Sequence, residues 1–373
     1  MVILSAAKDL LVMSVPAKQD WEDYFMRIRY QLVSLSALTG LLLLSAAAVP
    51  LRAQQAPEKK IPIIVRLSDV SINKIPFLVA LDQGLYDKNG LDVTMIPFSS
   101  DAAQVHGVPN NVPRNIRDQA GRAHFSIGGG APGMVARVNA VEPSDRVILA
   151  TTDTVVHWPI LVRKGSGITK LEDIKGKRIA ISSPAACTGV VARVIARRMG
   201  WDPEQDIAIL EDNYSITPLE KGWADVLIAY EVPYAMGRQL GYEPLDVDLR
   251  SWNEPIPCNG IWATKSWAHA NKDTVLRFLK SAVEAIAMMK RDKNYAFQSI
   301  AKWYDFKDYE IQNIIYQGSA EMPRKPYPAV DGIKNIMSLY DSNAMRRYKA
   351  EDFYDSSFMK ELDESGFIDN LYR

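Results

Sequence analysis

Two short stretches of this chain have the residue types and spacing to hold a small polar molecule. The first is Gly128-Gly129-Gly130-Ala131-Pro132-Gly133, which follows an apolar run and leads into helical spacing. A glycine-rich turn entering a helix leaves backbone N–H groups without partners and faces them with the positive end of the helix dipole. Gly129 and Gly130 therefore suit a carboxylate, sulfonate or amide oxygen. The second stretch, Ser182-Ser183-Pro184-Ala185-Ala186-Cys187-Thr188-Gly189, repeats the design. Here Ser183 and Thr188 add hydroxyls, which serve a ligand or an ordinary N-cap equally well. The glycine run also spells G-x-G-x-x-G, with Asp153 in the place of a ribose-binding acid. As a dinucleotide fingerprint it is badly placed, because it does not follow the first strand and Pro143 cuts its helix short. No cofactor is expected.

The elements that must position these groups are legible from hydropathy. Apolar, β-rich runs at 61–67, 91–97, 124–127, 146–151, 159–163, 178–182, 206–210, 225–230 and 259–263 alternate with helical spacing at 75–85, from 132, and at 187–199. Such alternation predicts α/β layers with a parallel sheet covered on both faces. The chain then turns helical to its end. The strongest amphipathic stripe lies over 275–290, with Phe278, Leu279, Val283, Ile286 and Ala287 on one side. Ligands of open parallel sheets bind beyond the carboxyl ends of the strands. That rule adds Asp69, Ser71, Ser100, Asp153, Tyr214, Tyr230 and Glu231 as candidates. A carboxylate at Glu231 either faces solvent or, in a cleft, favours a ligand with an amine or ring N–H.

Composition bounds the rest. The chain has 373 residues, 44 Lys+Arg against 44 Asp+Glu, and 47% hydrophobic residues, which is globular and long enough for about two domains. Zero net charge argues against a nucleic-acid binder and against a strongly basic anion trap, so recognition is expected from helix termini, hydroxyls and a few aromatics. The four histidines (106, 124, 157 and 269) show no ligand spacing, and no metal site is expected. Residues 27–53 read as a secretory leader: Arg27 and Arg29, an uncharged run over 32–49, then Pro50 and Ala53. Cleavage after Ala53 is expected, and residues 1–25 read as an upstream extension before a start at Met26.

Several segments together resemble one family. Residues 84–98 (GLYDKNGLDVTMIPF), 123–131 (AHFSIGGGA), 165–182 (GSGITKLEDIKGKRIAIS) and 219–230 (LEKGWADVLIAY) are similar to the solute-binding proteins of ABC importers. The branch is the one for alkanesulfonates, nitrate, taurine and thiamine pyrimidine precursors. His124 departs from that pattern, standing where the family often has Asp. The resemblance implies a type II periplasmic-binding-protein fold: two α/β lobes joined by two crossings, a ligand cleft between them and an α-rich tail. It places lobe one at 54–157 and 257–373 and lobe two at 158–256. It implies a periplasmic, monomeric, non-enzymatic binding subunit that closes by a hinge on a sulfonate, carboxylate or pyrimidine-like solute and delivers it to a permease and its ATPase. The rival it leaves is a pyrimidine-precursor synthase or decarboxylase on the same fold. Trp158, beside His157 at an implied crossing, could stack on a planar ligand or pack in the core. Cys187 and Cys258 fall in opposite implied lobes and are expected as separate thiols.

Overall fold

Backbone pairing sorts the strands into two five-stranded sheets. The structure is a computed structural model and describes residues 59–67, 74–97, 122–203, 205–211 and 215–373; the expected leader lies outside them. The first sheet takes β1 (Ile61–Leu67), β2 (Leu91–Pro97), β3 (Phe125–Gly128) and β4 (Arg146–Val155), with α1 (Ile75–Asp82) and α2 (Gly130–Val138) between them. The second takes β5 (Ile160–Val162), β6 (Arg178–Ile181), β7 (Ala208–Glu211), β8 (Val226–Ile228) and β9 (Glu243–Pro244), with α3 (Cys187–Met199) and α4 (Glu231–Gln239). The chain returns to the first sheet as β10 (Pro255–Thr264) and ends in helices, among them α5 (Lys272–Arg291), α6 (Tyr309–Ala320) and α7 (Val330–Leu339).

The strand orders are β2-β1-β3-β10-β4 and β7-β6-β8-β5-β9. Both sheets are mixed, which corrects the expectation of parallel sheets. In the first, β1 runs parallel to β2 and β3, while β10 is antiparallel to β3 and β4. In the second, β6 is parallel to β7 and β8, while β5 is antiparallel to β8 and β9. The exceptions are β5 and β10, the two strands on which the chain arrives from the other sheet. Lacking the helical crossover that enforces parallel pairing, they are free to run the other way.

Side chains alternate across the first sheet. Ile63, Val65 and Leu67 of β1, with Phe125, Ile127, Leu149 and Ile261, pack on α1 and α5 through Phe77, Phe278 and Leu279. α5 buries Val275, Phe278, Leu279, Ala282, Val283, Ile286 and Met289, a helical stripe, with Asp273 in its first turn and Lys290 and Arg291 in its last, as the helix dipole favours. The opposite face of the sheet is different. There Arg66 pairs in register with Ser126, Ser126 with Trp262, and Trp262 with Ile148. Ile148 and Trp262 belong to a second apolar core that continues into the second sheet through Ile160, Ile179 and Val226. The two sheets thus share a packed seam.

The chain passes between the sheets after Val155 and again between Pro244 and Pro255. At the second passage Glu254 is almost buried. It accepts from Arg197 and Arg198 of α3, the latter at 2.9 Å, and from Asn335 Nδ2 of α7 at 2.8 Å. Two helical glycines clamp the next residues. A Cβ on Gly130 would stand 2.0 Å from the Pro257 carbonyl oxygen, and one on Gly332 would stand 2.4 Å from the Ile256 carbonyl carbon. Gly→Ala inside an exposed helix gains up to about 1 kcal/mol; at Gly130 the backbone contact reverses the sign. Gly130→Ala is expected to destabilise by about 1–3 kcal/mol, the usual cost of overpacking, and a lowered urea midpoint with an unchanged slope would show it.

Candidate functional site

A cavity of about 430 Å³ opens at the seam. Gly129, Pro132, Gly133, Ala136 and Arg137 line it along α2; Arg66, Ser126, Arg146, Asn259 and Trp262 come from the first sheet. Ser183, Ala186, Cys187 and Tyr230 close it from the second sheet's side. One end therefore lies at the starts of α2 and α3, and the other under the body of α2.

At the helix-start end, Gly129 is the N-cap of α2, with φ −60° and ψ 138° and no side-chain cap, so the first N–H groups of the helix are left to solvent or ligand. α3 begins after Ala186, again without a side-chain cap. Thr188 is fully buried and occupied: its Oγ1 accepts the Ser182 N–H at 3.0 Å and lies 2.9 Å from Ser182 Oγ. It ties the end of β6 to α3 and does not reach the cavity. Ser183 and Tyr230 do.

The far end is basic. Arg137 is a strut: its guanidinium donates to the backbone carbonyls of Ser144 and Arg146, both at 2.8 Å, and of Asp352, and packs over the Tyr348 and Phe353 rings. This fixes the start of β4, where Arg146 stands. Arg146 is pushed down to about 10, first by burial and then by the neighbouring Arg66 charge. Arg66 is itself lowered by burial. Three guanidinium groups on one cavity are at odds with the expectation drawn from zero net charge. A whole-chain balance says nothing of where charges sit.

Behind the cavity lies a buried ionisable cluster. The side chains of Asp153, His157 and Glu231 are only 11, 7 and 8% exposed. His157 Nδ1 donates to the Val155 carbonyl at 2.9 Å and lies 3.3 Å from Asp153 Oδ1, and its Nε2 lies 3.7 Å from Glu231 Oε1. Asp153 Oδ2, both Glu231 oxygens and Asn259 Nδ2 have no hydrogen-bond partner among the described residues. Asn259 Oδ1 accepts from Lys74 Nζ at 2.8 Å. Burial, opposed by the His157 charge and helped by Glu231, pushes Asp153 up to about 6. Burial alone would lower His157, but the Asp153 and Glu231 carboxylates reverse this and raise it. The cluster spans the seam, since Asp153 lies near the end of β4, His157 lies in the first passage and Glu231 opens α4.

Of the residues singled out from sequence, Gly129, Ser183 and Tyr230 line the cavity, and Gly130 supports it from behind. Asp153 and Glu231 meet in the buried cluster instead. Trp158 is wholly buried, stacked on His157 (ring centres 4.1 Å apart) and edge-on to Tyr230 (6.0 Å), as a packing element of the seam. Asp69, Ser71, Ser100 and Tyr214 lie outside the described residues. His124 accepts the Ile64 N–H through Nδ1 at 2.9 Å, tying the start of β3 to β1, and does not line the cavity. Sequence reasoning missed Arg66, Ser126, Arg146, Asn259 and Trp262. A signal existed: a strand covered on both faces reads as a near-continuous apolar run, and Arg66 and Ser126 interrupt two such runs. The expectation of separate thiols is corrected. Cys187 and Cys258 form a disulfide with Cα atoms 6.4 Å apart. They belong to different sheets, but both stand at the seam, where α3 starts and β10 enters, so opposite lobes do not mean distant side chains. Among the described residues no group of three or more His, Cys, Asp or Glu side chains is placed to hold a metal ion.

Two mixed α/β sheets joined by two passages, with a cavity between them and a helical tail, define the type II periplasmic-binding-protein fold. The chain belongs to the family described as NMT1/THI5 like, which it matches over residues 71–296. It is 21% identical over 244 residues to a Bacillus subtilis (strain 168) protein whose name assigns it to aliphatic-sulfonate binding, covering 64% of this chain and 70% of that one. It superposes on the alkanesulfonate-binding protein SsuA of Xanthomonas axonopodis pv. citri bound to MOPS with a TM-score of 0.59 and 15% identity, over 79% of this chain and 96% of that one. The same fold is shared by the desulfurization enzyme DSZB (TM-score 0.55, 14% identity, 84% of this chain and 100% of that one).

Proposed function

We propose that this protein is the extracytoplasmic binding subunit of an ABC importer, which captures a small organic anion by hinge closure and hands it to a permease with its ATPase. The observation that carries the reading is the cavity walled from both sheets, with Gly129 at the start of α2 on one side and Ser183 and Tyr230 on the other. A ligand that touches both lobes favours their closed arrangement by its differential affinity, which is what a hinge-bending receptor requires. The names of the relatives point to sulfonates, and a basic cavity end fits an acid. The export leader expected over residues 1–53, with cleavage after Ala53, is consistent with work outside the cytoplasmic membrane, and among the described residues no helix is long and apolar enough to cross one.

The enzymatic alternative has the shared fold of DSZB behind it, and needs a nucleophile or base against the ligand. The described walls of the cavity offer no lysine, histidine or carboxylate, and Cys187 is tied into the disulfide. Thermal-shift screening of the purified protein against sulfonates, aromatic carboxylates and pyrimidines tests the reading. A true ligand at a hundred times its Kd adds about 2.7 kcal/mol, a rise of several degrees in Tm, and is recovered unchanged. Conversion of a stabilising compound into product would replace transport with catalysis.

A further inference from the structure

We infer that Asp153, His157 and Glu231 form a protonation-sensitive clasp between the two sheets: the imidazolium holds two carboxylates together across the seam, and loss of its proton lets the sheets part. The clasp goes beyond the capture reading and shares with it only the hinge.

The three side chains are anchored on three different pieces of the hinge. Asp153 lies on β4 of the first sheet, Glu231 opens α4 behind β8 of the second, and His157 lies in the passage between β4 and β5. The carboxylates therefore belong to different sheets, and the group between them belongs to chain that a hinge movement must bend. The ring reaches both, with Nδ1 3.3 Å from Asp153 Oδ1 and Nε2 3.7 Å from Glu231 Oε1. It is held in that orientation, because Nδ1 also lies 2.9 Å from the Val155 carbonyl and Trp158 stacks on the imidazole. Glu231 is held as well. Behind it stands Gly318 of α6, where a Cβ would lie 3.1 Å from its Oε1. Val232 and Ala235 of α4 pack into the first sheet's core, beside Ile311 and Ile315 of α6. Apolar contact and charge thus both hold α4 to the first sheet, and charge is the part that pH changes.

Protonated, the imidazole is a cation flanked by two anions where little water enters, and attraction is strong. Neutral, it leaves two buried carboxylates repelling each other. The neighbouring charges do not replace it. Arg250 acts on Asp153 and is itself paired with Glu321 at the end of α6. Lys74 donates to Asn259, which stands beside Asp153. Among the described residues no lysine or arginine bonds to Glu231. Parting of the sheets brings water to the carboxylates and weakens their hold on the His157 proton. The closed form therefore binds that proton more tightly than the parted form, in line with the upward shifts of His157 and Asp153. Closing takes up a proton, so acid favours the closed arrangement and rising pH the parted one.

Small-angle X-ray scattering of the purified protein, without reductant, from about pH 5 to about pH 9, reads the closed-to-parted ratio on either side of the ordinary histidine value. NMR of the histidine rings reads His157, assigned by the signal missing from His157→Gln. The radius of gyration of the wild type should rise in the window where His157 loses its proton. There the closed-to-parted ratio should fall about tenfold per pH unit, the slope of one linked proton. Glu231→Gln keeps the shape of the side chain without its charge and should stay compact throughout. Asp153→Asn should do the same, and serves where the first variant does not fold. A wild-type radius that stays constant while His157 titrates overturns the clasp, as does a His157 signal that does not titrate in this range. Both outcomes need no variant, and both leave the capture reading standing, because the thermal-shift screen does not depend on them. A radius that rises with pH equally in wild type and in the carboxylate variants also overturns the clasp, since parting would then not need the repulsion. Failure of every compound in the screen would remove capture and leave a pH-linked parting of the sheets in place.

Discussion

His157→Leu lowers the free energy of unfolding by about 3–5 kcal/mol, the cost of breaking a buried ionic group by removing one partner. The imidazole lies between the two carboxylates, 3.3 Å from Asp153 and 3.7 Å from Glu231. Without it two carboxylates face each other with little water, and Gly318 of α6 closes the far side, where a Cβ would stand 3.1 Å from Glu231 Oε1. Urea titration of wild type and variant measures the loss. A loss below about 1 kcal/mol would mean that water reaches the cluster and the pair is screened.

The same cluster fixes the sign of a pH dependence. Asp153 is raised in the folded protein to about 6, and His157 is raised above its usual value. In both cases the folded state holds the proton more tightly than the unfolded chain. Where the folded state binds more protons, stability falls as pH rises. The contribution of Asp153 is present below about pH 4 and is lost by about pH 6. That of His157 is present below about pH 6.5 and is lost above it. Wild-type Tm should therefore decline through this window, and Asp153→Asn should remove the acidic part of the decline.

The second large effect comes from the seam disulfide. Replacing Cys187 and Cys258 together by alanine is expected to cost about 2–4 kcal/mol, because the bridge closes a loop of 71 residues in the unfolded chain. Urea unfolding without reductant should show the difference. Adding dithiothreitol should bring the wild type to the level of the double variant and leave the variant unmoved. If reductant shifts both equally, the bridge is not the cause. The location gives the bond a second consequence. It joins the start of α3 to β10 beside the cavity, so a hinge movement of the two sheets must pivot with these two elements held together. A bridge in this place also belongs with an oxidising compartment.

Most of the fold is legible in local patterns. The helix over Cys187–Met199 follows from its apolar spacing and from Gly200, whose φ of 68° ends it. The buried stripe of α5 follows from the 3.6-residue period, and the strands from short β-branched runs. The glycine-rich start of α2 and the hydroxyl-rich start of α3 were recognisable because caps and dipoles act within a few residues, and both reach the cavity. Glu231 could be placed at a strand end but not assigned to solvent or interior, since its surroundings come from β4 and α6, far away in the chain.

The alternation of strands and helices, the glycine- and hydroxyl-rich starts of two helices and the expected leader in front of them are all readable from local sequence. Each depends on the chemistry of neighbours along the chain. The remaining features come from packing between elements. It put Arg66, Ser126, Arg146 and Trp262 on one face through the order β1-β3-β10-β4, ran β5 and β10 against their neighbours, buried His157 between two carboxylates, and joined Cys187 to Cys258. Apart from the Asp153–His157 pair, four positions apart, these are contacts between residues tens to hundreds of positions apart, set by which strand lies beside which. Strand order is a property of the packed sheet, and no local period along the chain encodes it.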